Sequence, residues 1–173
     1  NEDMTDLYAG IAARGAASYL TPANVGDSET VGVEVGVDGV IADAWRWAID
    51  YRTQTIDDDL YASSPTFARY VNYEDTLAEH VVNAQLGWSG GRWEVDGYVR
   101  HQSDTSVMSR GAFFGLQPAP LDAYTAVDGR VAYALTDNAT FAVSGQNLSE
   151  PEQRQTAGAD VERRVMGTLT FNY

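Results

Sequence analysis

Val165-Met166-Gly167-Thr168-Leu169-Thr170-Phe171-Asn172-Tyr173 alternates without a fault. Val165, Gly167, Leu169, Phe171 and Tyr173 share one parity, and Met166, Thr168, Thr170 and Asn172 share the other. Successive side chains of a strand point to opposite faces, so this stretch is a strand with one apolar and one mostly polar face. It closes on an aromatic ring, which is an odd end for a strand in water and a natural one at a membrane boundary.

The same period recurs upstream. Ala139, Phe141, Val143 and Gly145 alternate with Thr140, Ala142, Ser144 and Gln146, and Val127 to Leu135 alternates in the same way. So do Trp93 to Arg100, Val82 to Trp88, Trp45 to Gln54 and Val31 to Asp38. Together these make seven segments of period two with no sustained helical period, and a weaker Ala/Gly-rich eighth at Leu7 to Ala17. The chain is expected to be all-β.

Composition narrows the function. The 173 residues are enough for one ordinary domain, and the absence of cysteine rules out disulfides and thiolate metal sites. A net charge of -14 with 11 Lys and Arg in total argues against nucleic-acid binding, which needs clustered cations. No stretch approaches the roughly 18 apolar residues of a membrane helix. The mean hydropathy of -0.30 looks soluble, yet a transmembrane barrel has polar loops and a polar lumen and averages out the same way. The chain starts at Asn1, with no initiator Met or signal peptide, as expected for a processed protein or a piece of a longer one.

The connections alternate short and long. Short ones fall at Ala42–Ala44, Ser89–Arg92 and Thr136–Asn138, and long ones at about residues 18–29, 56–79, 104–123 and 148–162. The long ones carry all five prolines (Pro22, Pro65, Pro118, Pro120 and Pro151), which strand interiors exclude. Short turns at one end and long loops at the other are the mark of an up-and-down antiparallel barrel across an outer membrane. Trp45, Trp88, Trp93, Tyr133 and Phe141 flank the short turns on the apolar parity, with Tyr173 expected at the same level. This row reads as a membrane girdle on the periplasmic side. The rival is a soluble β-sandwich with aromatics gathered at one end of its core.

At these residues the chain resembles the C-terminal part of a TonB-dependent outer-membrane receptor. Val127–Gln155 (VDGRVAYALTDNATFAVSGQNLSEPEQRQ) and Glu162–Tyr173 (ERRVMGTLTFNY) are similar to that family's closing region. There, a strand with a leading Asp precedes a strand ending in Asn-Leu, here Asn147-Leu148, and an Arg-led final strand. Glu29–Gln54 (ETVGVEVGVDGVIADAWRWAIDYRTQ) resembles its Gly-x-Glu and Trp-rich strands. The resemblance implies a partial transmembrane barrel of about seven or eight strands, set in the outer membrane of a Gram-negative bacterium. The family's plug domain and early strands are absent from these residues. The implied partners are outer-membrane lipid, an energy-coupling inner-membrane complex reached through that plug, and barrel-assembly machinery recognising the C-terminal strand. A complete eight-stranded barrel remains the rival, although the first strand lacks the clean apolar face that closure needs.

No enzyme is indicated, and no catalytic residue, metal or cofactor is expected. His80 and His101 do not cluster with carboxylates, and no Ser has a nucleophile-elbow context. Asp57, Asp58, Asp59, Glu74 and Asp75 fall in a long loop, where a cation site competes with the simpler reading of a solvated acidic loop. Candidates for solute contact are polar-parity residues: Arg46, Arg52, Asp96, Arg100, Asp128 and Arg130, with Glu34, Asp38, Asp50, Asn83, Gln85 and Glu94 beside them. The simpler reading pairs these charges across strands. Loop aromatics Phe67, Tyr70, Tyr73, Phe113 and Phe114 form either an outer ligand platform or loop packing.

The expected function is energy-coupled uptake of a bulky solute such as a metal chelate, cobalamin or an oligosaccharide. The alternatives are a small structural or binding barrel and a soluble binding module. Leu169 is expected near mid-membrane, with Leu169→Arg costing about 2–4 kcal/mol and Thr168→Arg much less.

Overall fold

The computed structural model describes residues 2–9, 12–14, 17–19, 23–61, 74, 76–110 and 116–172. All regular structure among them is strand. In chain order the strands begin with β1 (Glu2–Ala9), a small hairpin of β2 (Ala12–Arg14) and β3 (Ala17–Tyr19), β4 (Ala23–Ile41) and β5 (Trp45–Leu60). Next come β6 (His80–Gly90), β7 (Trp93–Gln102) and a second hairpin of β8 (Thr105–Arg110) and β9 (Leu116–Leu121). The chain continues through β10 (Tyr124–Thr136), β11 (Ala139–Gln146), a third hairpin of β12 (Glu152–Gln153) and β13 (Val161–Glu162), and β14 (Arg164–Phe171).

Eight of these form one sheet in the order β1-β4-β5-β6-β7-β10-β11-β14. Every neighbouring pair is antiparallel, giving a meander, and its end strands β1 and β14 are not paired with each other. All seven alternating segments lie in this sheet. The eighth differs from expectation: its strand is Glu2–Ala9, and Ala12–Arg14 pairs with Ala17–Tyr19 as the separate β2–β3 hairpin.

The three short turns share one end of the sheet. Ile41 pairs with Trp45 across Ala42, Asp43 and Ala44, the first two at positive φ (51° and 55°). Gly90 pairs with Trp93 across Gly91 (φ 58°) and Arg92, the form of a type II′ hairpin with glycine first. Thr136 pairs with Ala139 beside a register shift, so the third turn is bulged.

At the other end the expected loop limits move. β4 starts at Ala23 and β5 runs to Leu60, so Asp57, Asp58 and Asp59 are strand residues opposite Glu29, Ser28 and Asp27 and not loop residues. The alternation fails to mark this section because Asp27, Glu29, Asp57 and Asp59 stand on the face that is apolar elsewhere in these strands. The loop after β7 contains the β8–β9 hairpin, with Pro118 and Pro120 inside β9. Their nitrogens, two residues apart, share one edge, and a two-stranded hairpin leaves one edge unpaired.

The two faces of the sheet are unequal. Val31, Val33, Val35, Val37, Ile49, Leu86, Val95, Val99, Val131, Val143 and Leu169 are all exposed on one face. The buried apolar residues are few: Ala78, Val81, Leu121, Tyr124, Ala132 and Ala142 among the described residues. Ala132 and Ala142 pair with each other on the polar parity. Among the described residues no second sheet covers the apolar face, which argues against the β-sandwich reading.

The aromatics descend through the register as the sheet proceeds. Trp45 pairs with Trp88, with ring centroids 6.3 Å apart. One step nearer the turns, Trp93 pairs with Tyr133 (centroids 4.6 Å apart) and Tyr133 with Phe141. Phe171 pairs with Ala139, a step further again. A row at constant height must step down in this way when strands tilt, because tilt and register stagger are linked in a barrel. Leu169, expected near mid-membrane, pairs with Phe141 and so stands level with the aromatic row. Tyr173 falls outside the described residues.

Candidate functional site

The polar face carries a charge cluster built across strands. The register aligns Val40, Arg46, Gly87, Asp96, Arg130, Ser144 and Met166 from β4 to β14. Arg46 Nη2 donates to Asp96 Oδ1 (3.2 Å), and Arg46 Nη1 donates to Ser89 Oγ (2.9 Å). Arg130 Nη1 donates to Glu94 Oε2 (3.0 Å) and to Asp96 Oδ2 (3.3 Å). Asp96, only 15% exposed, thus gives one oxygen to each arginine. Two guanidinium groups meet two carboxylates, and the cluster is neutral.

Arg46 sits on β5 and Asp96 on β7, with Gly87 of β6 between them. A Cβ on Gly87 would lie 2.8 Å from Asp96 Oδ1 and 3.1 Å from Arg46 Nη2. The glycine therefore leaves the saddle over which the ion pair closes. Its neighbours are polar, and its strand alternation alone does not signal this role.

Nearer the long loops the polar face opens into a hollow of about 420 Å3, lined by Asp50, Asn83, Arg100, Asp128, Asn147 and Gln155 among others. Asn147 follows β11 at positive φ (52°), a conformation Asn tolerates well, and its side chain is buried. Its backbone N donates to Asp128 Oδ1 (2.8 Å), and its Nδ2 donates to the carbonyl of Val161 (2.7 Å). Its Oδ1 is the one buried side-chain polar atom without a partner among the described residues. Asp128 is thereby a tether for the turn after β11, a role its parity did not reveal.

The other candidates are dispersed. Arg100 Nη2 donates to Gln102 Oε1 (3.3 Å), and Arg52 stands opposite Glu34 in register without an ion pair. Among the acidic residues, Ser28 donates to Asp58 (2.6 Å), and the Asp58 amide donates to Glu74 Oε1 (3.3 Å). No group of three or more His, Asp or Glu is placed to hold a metal among the described residues. His80 Nδ1 is 2.9 Å from Tyr51 Oη, and His101 Nδ1 is 2.9 Å from Thr125 Oγ1, both on the apolar parity. Asp75, Phe67, Tyr70, Tyr73, Phe113 and Phe114 lie outside the described residues.

An open meander with one apolar face, one charged face and turns sorted by length matches the family model for the β-barrel of TonB-dependent-receptor-like proteins over residues 2–148. The chain belongs to this family. Its apolar face is therefore the lipid-facing wall of an outer-membrane barrel, and its polar face is the lumenal wall.

Solved receptors share the fold. The siderophore receptor PiuA from Acinetobacter baumannii superposes with a TM-score of 0.71 at 16% identity, over 99% of this chain and 25% of that one. The pyoverdine receptor FpvA from Pseudomonas aeruginosa PAO1 gives 0.67 at 16% identity, over 97% and 26%. The copper transporter OprC gives 0.65 at 13% identity, over 98% and 27%. The chain spans about a quarter of the length of these receptors. No curated protein matches it.

Proposed function

We propose that the chain is a C-terminal wall segment of a receptor that takes up a bulky solute, such as a metal chelate, cobalamin or an oligosaccharide, by energy coupling. The outer loops would capture the solute, and the lumenal wall would guide it past a plug domain supplied elsewhere in the full protein. That plug would meet the inner-membrane coupling complex, and β14 would engage the barrel-assembly machinery. On this reading the chain has no catalytic role.

The observation that carries the reading is the open sheet: its end strands β1 and β14 are not paired with each other, and the chain superposes on about a quarter of the length of far larger barrels. In lipid each unsatisfied backbone group costs several kcal/mol, so a sheet open at both edges fits a larger barrel whose further strands pair with them.

The lipid-facing wall supports a membrane assignment for the aromatic row. Trp93 and Tyr133 lie eight residues from the His101–Thr125 pair, about 27 Å along the strand and, at a tilt of about 35–45°, about 20 Å across the membrane. This fits within an apolar band about 25 Å tall with a girdle at its edge.

The test is uptake by cells expressing the full receptor, with labelled ferric chelates, cobalamin and oligosaccharides offered with and without a proton-motive force. Accumulation of one class that collapses with the proton-motive force is expected. Passage of small solutes that is indifferent to it would overturn the reading in favour of a passive pore.

A further inference from the structure

The lipid-facing glycines fall into two kinds. Trp47 lies over Gly39, its ring 3.1 Å from where a Cβ would stand, and Trp88 covers Gly90. Phe141 covers Gly167 at 3.7 Å, and Leu148 folds back over Gly145 and Gly129. Each of these glycines accepts a large neighbour, and the wall is filled there. Gly97 is the exception among the described strands: its nearest atom is the Leu86 carbonyl oxygen at 3.9 Å, and no side chain covers it.

The space above it is a notch of about 480 Å3 lined by Trp47, Ile49, Leu86, Gly97, Val99 and Val127. This is within the range of about 300–1,000 Å3 typical of small-molecule sites. Gln85 and Tyr98 also border it but stand on the opposite, polar parity; apart from the Trp47 indole, the side chains of this face offer no charge and no hydrogen-bonding group, so a sugar, a phosphate or a peptide would lose hydrogen bonds on entering. On β7, Gly97 stands midway between Trp93 and His101. Each lies about 14 Å away along the strand, which places the notch deep in the hydrocarbon.

The geometry points to an acyl-chain site: the notch over Gly97 holds one tail of a phospholipid in the periplasmic leaflet. The occupant follows from continuity, because the notch opens on the wall already in contact with lipid and has no polar rim of the kind that frames a protein interface. A tail anchored at the level of Trp93 and Tyr133 needs to descend only about 11 Å, the roughly 14 Å of strand projected by its tilt, to reach Gly97. The site rests on the lipid-facing assignment and is independent of the cargo, so uptake and lipid binding fail separately.

The full receptor is placed in phosphatidylethanolamine vesicles doped with phosphatidylethanolamine carrying a diazirine at the acyl terminus, irradiated, and mapped by peptide mass spectrometry. Labelling at Leu86 and Val99 is expected to exceed that of the equally apolar Val33–Val37 surface about tenfold, equivalent to about 1.4 kcal/mol of preference. Gly97→Leu should fill the notch and bring labelling down to the level of that surface. Leu148→Ala, which bares Gly129 and Gly145, should extend the labelled area toward β11. Uniform labelling of the wall, or labelling unchanged by Gly97→Leu, overturns the proposal. So does a cross-link between two receptors through Leu86 or Val99, which would make a second copy the occupant.

Discussion

Gly87 and Gly97 are near neighbours on β6 and β7, since Gly87 pairs with Asp96 and Leu86 with Gly97, yet they open on opposite faces. Over Gly87 the missing side chain lets an arginine and an aspartate meet across a strand. Over Gly97 the same vacancy stays apolar and open. One residue type thus has opposite chemistry, because the sheet divides two solvents. On the lumenal side, water screens charges and exposed ion pairs contribute little. On the other side, lipid penalises any charge and leaves packing as the main attraction.

The sharpest way to break this comparison is to put the same charge on both faces. Leu86→Arg, level with Gly97, is expected to cost about 2–4 kcal/mol in unfolding of the full receptor from lipid vesicles, while Gln85→Arg costs under about 1 kcal/mol. Equal losses would mean that the faces are misassigned. Leu169→Arg, in the aromatic row, should lose about 0–1 kcal/mol, because the cost falls toward the interface.

A smaller effect is expected where the lumenal wall turns. Asn147→Ala removes the bond to the Val161 carbonyl and puts alanine at positive φ, for about 1–2 kcal/mol in the same assay. Asn147→Gly keeps the backbone conformation and should recover part of that loss. If the two variants are equally unstable, backbone conformation is not what selects asparagine.

Smaller still, Gly87→Val should part Arg46 from Asp96 and cost up to about 1 kcal/mol, while Gly97→Val costs nothing measurable. Arg130→Gln removes two contacts of a half-exposed side chain and is expected at about 0.2–1 kcal/mol, shrinking as salt is added. A loss from Arg130→Gln that is independent of salt would show that the cluster is more shielded from water than its exposure indicates.

Much of the fold was legible because strand alternation is local. Each segment between Val31 and Phe171 announces its two faces through its own residues, whatever it pairs with. The outer halves of β4 and β5 were not legible, since Gly26 to Glu29 and Asp57 to Asp59 lie beyond the apolar band and lack a greasy face. The β8–β9 hairpin was hidden by Pro118 and Pro120, which an unpaired edge tolerates. Of the lumenal candidates, Arg46, Asp96 and Arg130 do converge, but Asp128 serves a turn and Arg100 and Arg52 stand apart from the cluster.

The sequence by itself determined the class of structure, the end on which the short turns lie and the solvent each face meets. Period two, turn residues and aromatic placement are properties of single segments, which is why they survive without coordinates. Tertiary structure alone decided which residues meet. Arg46 and Asp96 are 50 positions apart, and their contact depends on register across β5, β6 and β7. Register is set by pairing along the whole length of neighbouring strands, and a single strand carries no record of it.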